Sequence, residues 1–195
     1  MVLILSNQKG GPVCRYCDSD VLFLLDYLSD GRKVGRGRVA KYLGIGEGSA
    51  RNLLDTLASH GLIEVRHSGV TIGESGRELL LVLGIESVDI TIPAYVLGKC
   101  QQAVIVRDAS ERVFNGIEQR NAGIRAGGDG CTTWVMEQGR IIMLPNWDMD
   151  EHEPRFASMI RRRADMRDGD VLIIGGGSTQ HSAMMAAGEA ALQLI

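Results

Sequence analysis

Apolar side chains recur at helical spacing through the first eighty or so residues. Val21, Leu22, Leu24, Leu25 and Leu28 follow the capping types Asp18 and Ser19, which predicts a helix over residues 19–29. Val39, Ala40 and Leu43 share a face of a second helix over 37–43, and Gly44 is placed to end it. Ile45 fills a tight turn. Ala50, Leu53, Leu54 and Leu57 then form the apolar stripe of a third helix over 47–60. The opposite face carries Gly48, Asn52, Asp55 and Ser59, with Ser49 and Arg51 on its flanks. After Gly61, strands over 62–66 and 70–72 with His67-Ser68-Gly69 between them predict a hairpin, and a helix over 74–83 follows. The segment before the first helix is weakly patterned, and Gly10-Gly11-Pro12 breaks it, so an extended arm is expected.

Beyond Leu83 the texture changes. Strands are expected over 88–92 and 103–106, then a helix over 110–125 and a hairpin of 132–136 with 140–144 around Glu137-Gln138-Gly139. A polar acidic loop over 146–153 leads to a helix over 154–166 and a strand over 171–174. Gly175-Gly176-Gly177 reads as a glycine loop, with Ser178 capping a last Ala/Met-rich helix. The expected organisation is an N-terminal winged helix-turn-helix over 1–83 and a C-terminal mixed sheet domain with helices over 84–195. The fold class is thus α/β or α+β.

Composition refines this picture. Hydrophobic content of 45% and charged content of 23% suit a globular chain with a sizeable core. The net charge of -3 argues against a nucleic-acid coat over the whole surface, but its distribution is uneven. Residues 31–70 carry seven Lys/Arg against three acidic residues, a local excess of +4, whereas residues 71–195 carry a net of -5. A basic patch on an acidic protein fits local DNA contact by one domain and none by the other. No apolar run approaches a spanning helix or a signal segment, so no membrane partner is expected. A cytoplasmic location and reduced thiols at the four cysteines follow.

The segment VAKYLGIGEGSARNLLDTLASHGLIEV, followed by VTIGESGRELL, resembles the winged-helix domains of prokaryotic transcription regulators over most of residues 19–83. The resemblance lies in a helix ending in Leu-Gly, an aliphatic plug, a helix with paired leucines, and Gly-Leu-Ile opening the wing. Together with that region, GIEQRNAGIRAGGDGCTTWVMEQGRIIMLP is similar to archaeal winged-helix proteins carrying a C-terminal domain of unknown function. The second resemblance implies no chemistry.

Two helices with a tight turn between them are the layout in which the second helix enters the major groove of double-stranded DNA. Ser49, Arg51 and Asn52 lie near the start of that helix, where base edges come within reach; Arg suits guanine and Asn suits adenine. Arg36, Arg38, Arg66 and His67 are placed to hold phosphates. Asp55 opposes DNA on the same face and is expected to pair with Arg51 four residues back. The alternative is a protein-interaction winged helix whose basic residues are merely solvated.

In the second domain, Gly175, Gly176, Gly177, Ser178 and Thr179 form a strand, glycine loop and helix start, a natural site for a small anionic ligand. The alternative for the same residues is a tight turn with close packing. Gly127-Gly128-Asp129-Gly130 is expected to be a flexible turn that, with Arg120, Arg125 and the Gly175 loop, lines one pocket. Cys14 and Cys17 make half a zinc knuckle with remote Cys100 and Cys131, so no metal site is assigned. The acidic run Asp148 to Glu153 reads as solvated. No catalytic constellation stands out, and no cofactor is called for.

The leading expectation is a DNA-binding transcriptional regulator that responds to a small ligand through residues 84–195 and acts as a homodimer. Leu192, Leu194 and Ile195 are part of the expected subunit contact. An enzyme on a small anionic metabolite, with a winged helix as self-regulator, is the alternative from another class.

Overall fold

The computed structural model describes residues 16–195, which divide between Leu83 and Gly84 into two units. In the first, α1 (Asp18–Tyr27), α2 (Arg36–Leu43) and α3 (Glu47–Ser59) precede a two-stranded antiparallel sheet of β1 (Ile63–Arg66) and β2 (Gly69–Ile72), and α4 (Glu74–Leu83) closes it. Cys17 takes the N-cap position of α1 ahead of the expected Asp18 and Ser19, because the Asp20 carboxylate reaches back to accept from the Cys17 N–H at 2.9 Å. The leucine stripes do what their spacing requires. Leu53, Leu54 and Leu57 of α3 are fully buried with Val39 and Leu43 of α2 and with Leu22, Phe23 and Leu25 of α1.

Gly44 ends α2 at a left-handed φ of 69°, the conformation that favours glycine. The hairpin turns on two residues, His67 and Ser68, since Arg66 pairs directly with Gly69. Val34 adds a bridge to Val70 through two backbone hydrogen bonds of 2.9 and 2.8 Å, pinning the hairpin to the segment that leads into α2.

The second unit, Gly84–Ile195, is built on one six-stranded sheet. Its strands are β3 (Ile85–Val88), β4 (Cys100–Val106), β5 (Gly130–Glu137), β6 (Arg140–Met143), β7 (Trp147–Asp148) and β8 (Val171–Gly177). The order is β3-β4-β8-β5-β6-β7, and every neighbouring pair is antiparallel. Of the two expected fold classes, this makes the protein α+β.

The pleat sends alternate residues to opposite faces. Ala103, Ile105, Trp134, Met136, Leu172 and Ile174 enter a core with α6 (Met149–His152) and α7 (Pro154–Arg163). The other face receives α5 (Ile117–Arg125) and α8 (Gln180–Leu192), where Ala186 of α8 packs against Gly123 of α5.

Several expected elements shift. The strand expected over 88–92 lies at Ile85–Val88, where Ile85 to Val88 run in register with Val106 to Ala103. The helix expected over 110–125 is a short 3-10 turn at Ser110–Arg112 and then α5, separated by Gly116 at φ 76°. The acidic loop contains β7 and α6, because Asp148 caps α6 by accepting from the Asp150 N–H at 2.7 Å. Among the described residues, no helix is long and apolar enough to cross a membrane.

Candidate functional site

The outward surface of the first unit is basic where α2 and α3 begin. Arg36 and Arg38 stand exposed in the first turn of α2, Arg51 and Asn52 are exposed on α3, and Ser49 is half-buried beside them. The N-caps of both helices are glycines, Gly35 and Gly46, and neither start carries a side-chain cap. First-turn amides left open in this way point their N–H groups outward.

Not every basic residue is free. Arg32 donates to Asp30 at 2.6 Å and covers the Tyr27 ring at 5.2 Å; its hydrogen bond holds the Asp30 carboxyl below the usual range. Arg66 is paired with Glu64 at 2.8 Å across the β1 surface, so part of its charge is already answered; His67 is exposed in the turn. Lys33, Arg36, Arg38, Lys41 and Arg51 have no ion pair among the described residues. The expected Arg51–Asp55 pair is absent among the described residues: both side chains stand in solvent, where holding two long side chains together gains little.

The glycine triplet is not a loop. Gly175, Gly176 and Gly177 are the last residues of β8, buried, and in register with Gln102, Gln101 and Cys100 of β4; Gly175 and Gly176 also face Cys131 and Gly130 of β5. Their backbone groups belong to a central strand. The start of α8 is closed as well. Thr179, not Ser178, is its cap: the Thr179 hydroxyl accepts from the Ser182 N–H at 3.1 Å, and the Ser182 hydroxyl accepts from the Thr179 N–H at 3.1 Å. The expected site thus has its glycines within the sheet and its Thr179 N–H held by the Ser182 hydroxyl.

The glycines serve close packing instead. A Cβ on Gly175 would stand 2.5 Å from the Ala183 carbonyl of α8, and one on Gly176 would overlap the Leu97 carbonyl on the opposite face.

A cleft of about 490 Å³ opens in the second unit at the edge of β5. β6 pairs with β5 only from Val135 to Glu137, which leaves the earlier part of that edge without a strand among the described residues. The segment 93–97, the start of α5 and residues 131–133 form its walls. Asn115, Gly116, Ile117 and Arg120 contribute from α5 and its approach, and Met143 from β6. Arg120, Asp129 and Gly130 line an adjoining recess, so these residues of the expected pocket do come together. Arg125 and Gly175 do not line it.

Sequence reasoning missed Tyr95, Thr132 and Thr133. They lie on an irregular segment and on a strand whose free edge no periodicity reveals. Thr132 donates to the Tyr95 carbonyl at 2.6 Å, and the Tyr95 hydroxyl donates to Glu153 at 3.0 Å, which ties the segment to the sheet and to α7. Burial pushes the Cys131 thiol up to about 12, which leaves it protonated and unreactive at neutral pH.

Remaining expectations resolve locally. Cys14 lies outside the described residues, Cys17 sits at the start of α1, and no metal-holding group of three or more His, Cys, Asp or Glu occurs among the described residues. The acidic run is paired as well as partly solvated: Arg140 pairs with Asp148 at 2.5 Å and with the exposed Glu151 at 2.6 Å, and Arg161 pairs with Asp150 at 2.6 Å. Leu194, expected at a subunit contact, is buried in its own unit; Leu192 is half-buried and Ile195 exposed.

The fold is similar to that of the hypothetical protein PH0730 from Pyrococcus horikoshii OT3, with a TM-score of 0.75 and 26% identity over 92% of this chain and 93% of that one. The hypothetical protein SSo2273 from Sulfolobus solfataricus matches 34% of this chain and 53% of its own at 25% identity, with a TM-score of 0.31. No curated protein matches the chain. Residues 97–194, which run from β4 through α8, match the model of a family described as a domain of unknown function, DUF4443. The chain belongs to the DUF4443 family.

Proposed function

We propose that this protein is a DNA-binding transcriptional regulator whose first unit is a winged helix and whose second unit receives a small ligand. The observation that carries the DNA half is the set of unpaired cations Arg36, Arg38, Lys41 and Arg51 beside two uncapped helix starts on one unit of an otherwise acidic chain. Open amides at a helix start favour phosphate, and cations nearby add counterion release. In this reading α3 lies in the major groove with Arg51 and Asn52 at base edges, Arg36 and Arg38 hold phosphates, and the β1–β2 hairpin is the wing. Arg66 contributes less than its position suggests, because Glu64 competes for its guanidinium.

The ligand half is supported by the cleft of the second unit. Two copies of the chain on adjacent half-sites give the ligand something to rearrange, provided that it binds the two arrangements with different affinity.

Fluorescence anisotropy of a labelled duplex tests the DNA half. The full chain is expected to bind with an affinity that falls steeply with salt. A variant carrying Arg36→Ala, Arg51→Ala and Asn52→Ala should lose affinity and show a shallower salt slope, by roughly one for each phosphate contact removed. Unchanged affinity and slope would instead favour a protein-interaction role for the unit.

A further inference from the structure

The cleft beside β5 combines an open helix start, an unpaired cation and a buried hydroxyl left without a partner. Gly116 is the N-cap of α5, in the left-handed region at φ 76°, and no cap side chain closes the first turn; Asn115 satisfies only the Ile117 N–H, at 3.0 Å. Arg120, one turn on, is exposed, makes no ion pair among the described residues, and stands close enough to Cys131 to act on its thiol through its charge. Gly130 leaves space beside the stem of Arg120.

Thr133 supplies the independent observation. It is 6% exposed, it lines the cleft, and its Oγ1 has no hydrogen-bond partner. That hydroxyl lies 3.7 Å from where a Cβ would stand on Gly116, directly beneath the start of α5. A buried hydroxyl without a partner destabilises the free protein, so its presence at a helix start and beside a cation points to a ligand that would satisfy it.

We propose that the cleft binds a small organic carboxylate with an apolar body. The carboxylate is received by Arg120, the first turn of α5 and the Thr133 hydroxyl, which donates to it. A single guanidinium offers a planar fork that matches one carboxylate. Most of the remaining lining is apolar, and Pro93, Val96, Leu97, Ile117 and Met143 hold the body of the ligand. Asp129, in the adjoining recess, repels a multiply charged phosphate and offers a partner for an ammonium on the same ligand. The inference rests on the ligand-receiving reading of the second unit and is independent of the DNA reading of the first.

Calorimetric titration of the full chain tests it, with isocaproate, L-leucine, the uncharged isohexanol and inorganic phosphate as probes. Saturable binding of isocaproate or L-leucine is expected, with isohexanol and phosphate about tenfold weaker or worse. Tighter L-leucine assigns the ammonium to Asp129, and tighter isocaproate leaves Asp129 as a repelling wall; either result supports the site.

Arg120→Gln and Thr133→Val should each weaken binding about tenfold or more. Thr133→Val should also melt at the same or a higher temperature without ligand, because it removes an unsatisfied hydroxyl at constant shape. A structural threonine would give neither combination. Absence of saturable binding up to about 10 mM, phosphate as the better probe, or an unchanged Kd in either variant would overturn the proposal. If the carboxylate binds at this site but leaves duplex affinity unmoved, the site stands and the effector role falls.

Discussion

Gly175 and Ala187 meet backbone to backbone: a Cβ on the glycine would clash with the Ala187 nitrogen and stand 2.5 Å from the Ala183 carbonyl. The central strand and the helix that covers it can approach this closely because neither puts a side chain larger than a methyl between them. On the other face Gly176 admits the Leu97 carbonyl in the same way, and Leu97 is one wall of the cleft.

Gly175→Ala should therefore cost about 3 kcal/mol or cause the chain to misfold, since the obstacles are backbone atoms that cannot step aside. Urea unfolding followed by circular dichroism measures this. A cost below about 1 kcal/mol would mean that α8 can lift from β8 without penalty.

Gly37→Ala should act with the opposite sign. Gly37 lies inside α2, is exposed, and has open space where a Cβ would stand. Helix propensity then favours the variant by about 0.5–1 kcal/mol, visible as a raised denaturation midpoint. Taken with Gly175→Ala, it separates glycines required by packing from those merely tolerated.

Asp55→Asn tests the reading face under the DNA proposal. Asp55 is exposed on α3 and forms no ion pair among the described residues, so under that proposal its charge would face the duplex uncompensated. Neutralising it should tighten duplex binding several-fold at low salt, with the gain shrinking as salt rises. Weaker binding would indicate that Asp55 itself contacts a base, as an acceptor for a cytosine amino group.

Cys131 predicts an alkaline limb. Burial raises its thiol from 9.0 in the unfolded chain to about 12 in the folded protein, so the folded state holds its proton more tightly. The resulting stability is complete below the unfolded value and is lost as pH rises between the two. The slope contributed is at most about 1.4 kcal/mol per pH unit. Denaturant midpoints across that window should fall more steeply for the native chain than for Cys131→Ala. Parallel curves would show that the thiol reaches solvent.

The three helices whose apolar positions repeat at helical spacing, α1 to α3, were legible in the residues, because burial of one face demands that spacing wherever the helix lies. Hairpins were legible for a similar local reason: Gly69 and Gly139 have backbone conformations at φ 131° and 73° that side-chain-bearing residues seldom adopt. Local charge was legible too, and with it the basic surface of the first unit. The glycine triplet was not. The same three residues suit a phosphate loop or a strand under a close helix, and only the partners decide. Here Gln102 and Cys131 flank Gly175 on either side, and Ala183 lies over it. The cleft was decided at the same level. Thr133 and Arg120 are thirteen positions apart in the chain, and no periodicity announces that β6 stops short of the β5 edge that brings them together. Sequence by itself determines which residues must be buried and where the chain can turn, since those are local free energies. Which strand edge remains open, and which hydroxyl is buried without a partner, depends on pairing between distant segments and is settled only when the sheet forms.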